Sequence, residues 1–177
     1  DQEANKHGDI VRIQTVESYN NLTLKTLDMI RYAHQNSFEV LLKVDDDTFV
    51  LLDKFISDVV TDNPDRVYIY WGRFWGSDDR PVDRVEGSKY YVSPTEFASN
   101  TYPNYPDGPC YAIGRELISW IVANEKTLPK FRLEDAAVGI WMSSSVVPVN
   151  EQFGPAYVYS KKCPEGNFYY YINPVVT

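Results

Sequence analysis

The chain must fold around one abrupt change of character, an apolar run that ends in three consecutive carboxylates and then turns apolar again: Leu41-Leu42-Lys43-Val44-Asp45-Asp46-Asp47-Thr48-Phe49-Val50. Adjacent ionised Asp side chains repel one another, so the cluster is tenable where water solvates it or where a cation sits against it. Hard divalent cations favour such oxygen ligands. A strand ending at Val44 would deliver the triplet to the crevice beyond the carboxyl ends of the strands, the usual ligand site of an open α/β sheet. Two readings stand, a solvated acidic turn and a cation site, and the position between two apolar runs favours the second.

The flanking patterns supply helices and strands in alternation. Residues 8–13 read as a short strand leaving a turn. From Ser18 onward Tyr19, Leu22, Leu27, Ile30 and Ala33 recur at helical spacing, and residues 38–44 are short and apolar enough for a buried strand. Beyond the triplet, Leu52, Phe55, Ile56, Val59 and Val60 predict an amphipathic helix that stops before Asn63-Pro64. This β-α-β-α order favours a parallel sheet with crossover helices. An aromatic, β-prone run follows at residues 67–76, with a second short strand at residues 90–92. Tyr68 and Tyr70 read chiefly as core, whereas Trp71 and Trp75 suit a core or a sugar ring equally. Three prolines and a glycine within residues 102–111 predict a rigid loop. Leu117, Ile118, Ile121 and Val122 mark a further helix, Leu133-Glu134-Asp135 opens another apolar stretch, and residues 146–149 and 157–159 read as short strands before an aromatic tail at residues 168–171.

Composition narrows the function classes. With 177 residues, 44% of them hydrophobic, the chain has material for one core, and no repeat or linker divides it. A net charge of −8 opposes binding to nucleic acid or to an anionic membrane surface. Cys110 and Cys163 leave room for one bridge or none. Asn21-Leu22-Thr23 is the sole glycosylation sequon. The sequence holds no signal peptide or membrane span, and a polar start without Met leads us to expect that it continues a longer chain.

Chemistry then eliminates several sites. An Asp-x-Asp-x-Thr phosphotransfer motif fails by one residue, since the fifth position from Asp45 is Phe49. No Gly-x-Ser-x-Gly is present, and Cys110 has no nearby His in the sequence. His7 and His34 receive no role. Sugar transfer from a nucleotide donor fits better. Its diphosphate leaving group needs a cation held by carboxylates, and inversion needs a separate carboxylate as general base on the acceptor hydroxyl. The acidic triplet and Glu134-Asp135 are two such centres, although an acidic pair at a helix start is also favoured by the exposed amides there.

Five segments in order carry a family resemblance: His7-Gly8-Asp9-Ile10; residues 17–26, from Glu17 to the Leu24-Lys25-Thr26 end; Leu42 through Val50; Tyr102-Pro103-Asn104-Tyr105-Pro106-Asp107-Gly108-Pro109-Cys110-Tyr111; and Leu133-Glu134-Asp135-Ala136-Ala137-Val138-Gly139. The chain resembles glycosyltransferase family 31, the β1,3-galactosyltransferase and β1,3-N-acetylglucosaminyltransferase group. Tyr70-Trp71-Gly72-Arg73-Phe74 and Trp141 are most similar to branches that add galactose to the proteoglycan linker or to plant hydroxyproline-linked glycans.

The resemblance implies an α/β fold of the GT-A nucleotide-diphospho-sugar type, with a mixed sheet flanked by helices and the N-terminal part absent, so that residues 1–177 form the C-terminal portion of a single catalytic domain. It implies an inverting, Mn²⁺-dependent enzyme that moves galactose from UDP-galactose to a glycan or glycoprotein, in the Golgi lumen, tethered by an upstream type II anchor. The alternatives are UDP-N-acetylglucosamine as donor and a catalytically silent glycan-binding member. It places Asp135 as general base, Asp47 with Asp45 as metal ligands, and Lys43, Asp45, Asp46, Trp71, Tyr105, Gly108 and Glu134 at the substrate. Three departures accompany it. Cys110 stands where a Gly is usual, Tyr171 stands where relatives carry a His near the C-terminus, and the first nucleotide-binding strand and helix have no counterpart.

Overall fold

Helices and apolar strands alternate over residues 22–74, as the spacing requires, and beyond them strands follow one another as far as Gly114 before two helices. The computed structural model describes residues 2–61, 63–75, 80–153, 161–162 and 168–169. In order these form α1 (Gln2–His7), a 3-10 turn (Tyr19–Asn21), α2 (Leu22–Gln35), β1 (Val40–Val44), α3 (Leu52–Phe55) continued by a π-helical segment (Ile56–Thr61), and a 3-10 turn (Arg66–Tyr68). Then come β2 (Ile69–Phe74), β3 (Arg80–Pro81), β4 (Thr101–Tyr102), β5 (Pro106–Gly114), α4 (Arg115–Asn124), α5 (Glu134–Ser143), β6 (Asn150–Phe153), β7 (Lys161–Lys162) and β8 (Phe168–Tyr169).

The main sheet is mixed, with strand order β1-β5-β2-β6. β5 runs antiparallel to both β1 and β2, and β2 runs parallel to β6. Each strand buries alternate residues on opposite faces. Leu41, Tyr70, Tyr111 and Ile113 join the larger core with Leu27 and Ile30 of α2, Leu117 and Ile121 of α4, and Val138 and Trp141 of α5. The other face packs Ile69, Trp71, Cys110 and Ala112 against Phe55 and Val59. Burying each large side chain in these layers contributes about 1.5–3 kcal/mol, which exceeds the modest propensity of any single strand. Gly114 makes the turn into α4, because a Cβ there would lie 2.4 Å from the carbonyl oxygens of Arg66 and Val67.

Several sequence expectations change. The predicted parallel pairing of neighbouring strands is replaced by insertion of β5 between β1 and β2. β5 itself comes from the segment expected to be a loop. Its prolines are tolerated because Pro106 is the first residue of the strand, where a missing N–H costs least, and because Pro109 still offers its carbonyl, which accepts from the Asp45 amide at 2.9 Å. Residues 8–13 form no strand, and Ile10 and Val11 are exposed instead. Residues 90–92 form no strand, and the strand expected at 146–149 begins at Asn150. Tyr68 is exposed rather than core. Cys110 is a buried free thiol, raised to about 11 by burial. The strand expected at residues 157–159, Cys163 and Tyr171 lie outside the described residues.

Candidate active site

The antiparallel register puts the end of β1 beside the start of β5, with Val44 opposite Cys110 and Lys43 opposite Tyr111. Lys43 therefore points to the larger core face at its edge. Its ammonium donates to Asp45 and to the Gly108 carbonyl, the latter at 2.5 Å, and lies 3.9 Å from Glu134 Oε2. Glu134, only 7% exposed, opens α5. Its Oε1 accepts from the Tyr111 hydroxyl and from Thr26 Oγ1, the second at 3.1 Å. Burial pushes the Glu134 carboxyl up to about 7, against the opposing pull of Lys43 and these hydrogen bonds.

Asp135 is one residue further along the same helix start and turns a different way. Its Oδ2 accepts from the Gly108 amide at 3.1 Å and its Oδ1 from the Ala136 amide at 2.8 Å. Burial raises its pKa, while Arg80 and the two amides oppose that rise. Gly108 leaves the carboxylate room, since a Cβ would come within 3.2 Å of Asp135 Oδ2 and push it by a few tenths of an ångström. The carboxylate borders a cleft of about 140 Å³ lined by Tyr19, Tyr90, Tyr102, Tyr105 and Arg80. The buried Tyr102 hydroxyl has no hydrogen-bond partner among the described residues, whereas Arg80 Nη1 has an ion-pair partner in Asp107 at 3.3 Å. A polar ligand in the cleft would satisfy that hydroxyl.

The loop between β3 and β4 is fixed by charge. Arg84 donates to the carbonyls of Val92 and Phe97 at 2.7 Å and of Ser99 at 2.6 Å, while Arg132 donates to those of Lys89 at 3.3 Å and Tyr91. The cleft wall is thus held by guanidinium groups rather than by a long ladder.

Residues 1–152 match the family model described as Galactosyltransferase. The chain belongs to the galactosyltransferase family. It is 32% identical over 144 residues to the UDP-GalNAc:beta-1,3-N-acetylgalactosaminyltransferase 2 of Danio rerio, covering 81% of this chain and 28% of the relative. Against the Beta-1,3-galactosyltransferase GALT1 of Arabidopsis thaliana it is 32% identical, covering 80% and 22%. Against the human Beta-1,3-galactosyltransferase 5 it is 30% identical, covering 85% and 48%. The chain thus spans from 22% to 48% of the length of these three relatives.

Within this family member the structure brings together Lys43, Asp45, Gly108, Glu134 and Asp135 through the contacts above, and places Tyr105 in the adjoining cleft. Asp46 and Asp47 are exposed on the turn beyond β1. Trp71, expected at the substrate, is instead 3% exposed in the second core, its ring 5.1 Å from that of Phe55. Alternation explains this: Trp71 shares the Ile69 face of β2, opposite the face toward α5. Among the described residues no three carboxylate, imidazole or thiolate groups converge as a self-sufficient metal site. The triplet fits in chemical kind, however, because a hard divalent ion is often held by one or two carboxylates together with substrate phosphates.

Sequence reasoning missed Arg80 and Asp107. Arg80 lines the cleft, and Asp107 is buried immediately before Gly108. The only available signal was the place of Asp107 inside the Pro/Gly-rich segment; Arg80 sits in a charged loop with no periodicity to single it out.

Proposed function

We propose that residues 1–177 form one catalytic domain of GT-A type, and that the full-length protein is an inverting β1,3-glycosyltransferase moving galactose from UDP-galactose to a glycan or glycoprotein acceptor in the Golgi lumen. The observation that carries this reading is the Asp135 carboxylate, fixed by two backbone amides at the edge of a tyrosine-rich cleft and linked through Gly108 and Lys43 to the acidic turn. Galactosyltransferase family membership and the β1,3 activities in the names of the relatives support it.

Each Asp135 oxygen keeps a lone pair beyond its amide bond, so the carboxylate can take the proton of an acceptor hydroxyl as that oxygen attacks the anomeric carbon from the face opposite the diphosphate. The tyrosine rings present apolar faces to the sugars and exclude water. Asp47, with Asp45 beside it, would hold Mn²⁺, which when bound neutralises charge on the departing diphosphate. Lys43 keeps Asp45 oriented toward β5, and Glu134 anchors Lys43 from below.

The name of the Danio rerio relative favours a second donor, UDP-N-acetylgalactosamine, which differs from UDP-galactose only at C2. The test is transfer by the full-length protein with Mn²⁺ and UDP-galactose, UDP-N-acetylgalactosamine or UDP-N-acetylglucosamine, alongside Asp135→Asn. Transfer of galactose that the variant abolishes supports the proposal. Preference for another donor corrects the sugar, and a wild type inert with all three, yet binding glycan, returns the silent-binder alternative.

A further inference from the structure

Asp107 is 6% exposed at the start of β5, and a buried carboxylate is costly unless charged or hydrogen-bonding groups surround it. The Trp75 indole N–H donates to its Oδ1 at 2.9 Å, Arg80 Nη1 lies 3.3 Å from the same oxygen, and Arg73 Nε lies 3.7 Å from Oδ2. The Arg80 guanidinium is itself clamped between rings, 4.4 Å from the Trp75 centroid and 4.2 Å from that of Tyr105. A planar cation held on two aromatic faces has little freedom to leave its carboxylate. One peptide bond beyond Asp107, the Gly108 amide donates to Asp135. The cage around Asp107 is therefore one residue from the hydrogen bond that aims the carboxylate.

We propose that Arg80 and Asp107 are a positioning pair for Asp135: Asp107 anchors the start of β5 so that the Gly108 amide meets the carboxylate, and Arg80 cancels the charge that Asp107 would otherwise direct at it. The inference rests on reading Asp135 as the general base. Neither residue touches the reacting atoms; both act through Asp135.

The electrostatic surroundings agree with this geometry. The groups facing Asp135 are Arg80 from β3, Asp107 from β5, Glu134 on its own helix, Tyr19 from the 3-10 turn, Tyr102 from β4 and Tyr105 from the segment between β4 and β5, with Tyr70 and Tyr111 behind them in the core. The tyrosines are raised by burial and stay neutral at physiological pH. Among these groups Arg80 is the cation holding Asp135 ionised, while Asp107 pushes the other way.

The experiment is the pH dependence of kcat/KM for the full-length enzyme with the donor it turns over, in wild type, Arg80→Met, Arg80→Lys, Asp107→Asn and Asp135→Asn. Removing a charge close to a carboxylate shifts its titration by about one pH unit or more. Arg80→Met is expected to move the acidic limb up by about one pH unit, an about tenfold loss below the limb with far less loss on the alkaline plateau. Asp107→Asn is expected to move it down, and Arg80→Lys to keep it near wild type. If Arg80→Met does not fold, the downward shift in Asp107→Asn carries the test alone. Uniform loss at every pH with an unmoved limb overturns the positioning role and leaves Asp135 as base intact. An active Asp135→Asn overturns the base assignment instead.

Discussion

The two acidic centres of this protein are built in opposite ways. At the end of β1, Asp46 and Asp47 stand exposed, and Asp45 is drawn inward by Lys43. At the start of α5, Glu134 and Asp135 are gripped by two hydroxyls, an ammonium and two backbone amides. A carboxylate that must take a proton from one hydroxyl in one direction gains from being aimed before the substrate arrives. Carboxylates that share a cation with a diphosphate can take their geometry from the ligand. On the proposed function, the contrast fits a general base at one centre and a shared cation at the other.

Asp135→Asn breaks the comparison most sharply. It keeps the size and, through its single oxygen, one of the two amide contacts, yet removes the base, so transfer by the full-length protein should fall about 10³-fold. The amide left without an acceptor should cost about 1–3 kcal/mol in denaturation while the chain stays folded, which separates loss of chemistry from loss of fold.

Glu134 tests whether the buried centre is also structural. Glu134→Ala leaves Tyr111 and Thr26 without their acceptor and Lys43 without one of its two carboxylates, and should cost about 3–5 kcal/mol in urea denaturation. Glu134→Gln keeps an acceptor for both hydroxyls and sharpens the point through pH. Burial raises this carboxyl from 4.5 to about 7, so the folded chain holds the proton more tightly than the unfolded chain does between those values. Its contribution is fully present below pH 4.5 and is lost as pH climbs to about 7, a change of about 3 kcal/mol. Denaturation at pH 5, 6, 7 and 8 should show this slope in the wild type and a flatter one in Glu134→Gln. An unchanged slope assigns the dependence to other groups.

The exposed centre should behave differently. Asp47→Ala is expected to raise the donor KM in Mn²⁺ by about 10–100-fold, as loss of a metal contact does, while stability stays within about 0.5 kcal/mol because the side chain is exposed. The smallest effect concerns Gly108→Ala, whose methyl group would sit 3.2 Å from Asp135 Oδ2 and force the carboxylate to give by a few tenths of an ångström. Activity should drop about tenfold, read as kcat rather than KM.

Much of this was legible in the sequence. Helical spacing located α2 and α4 because each buries a single continuous face, and the apolar run located β1 because that strand packs against a core on both faces. The triplet announced itself by charge, and Asp135 by its motif. β5 was illegible because Pro106 and Pro109 read locally as breakers, and only the neighbouring strands reveal that their missing N–H groups are not needed. Trp71 was ambiguous because an aromatic run carries no label for its two faces, and the face was decided by Phe55, far off in sequence. Arg80 and Asp107 were invisible for a related reason: their meaning is a contact between a loop and a strand, and nothing in either local pattern encodes the other.

The placement of β5 has a consequence for the order of assembly. Its pairing with β1 joins segments distant along the chain, contacts that pay loop-closure entropy before they return stability and so tend to form late. The Gly108 amide reaches Asp135, and the Pro109 carbonyl reaches the acidic turn, only when that closure is made. A chain whose first half alone has folded would carry the acidic turn without its partner, and the same late event that completes the sheet completes the site.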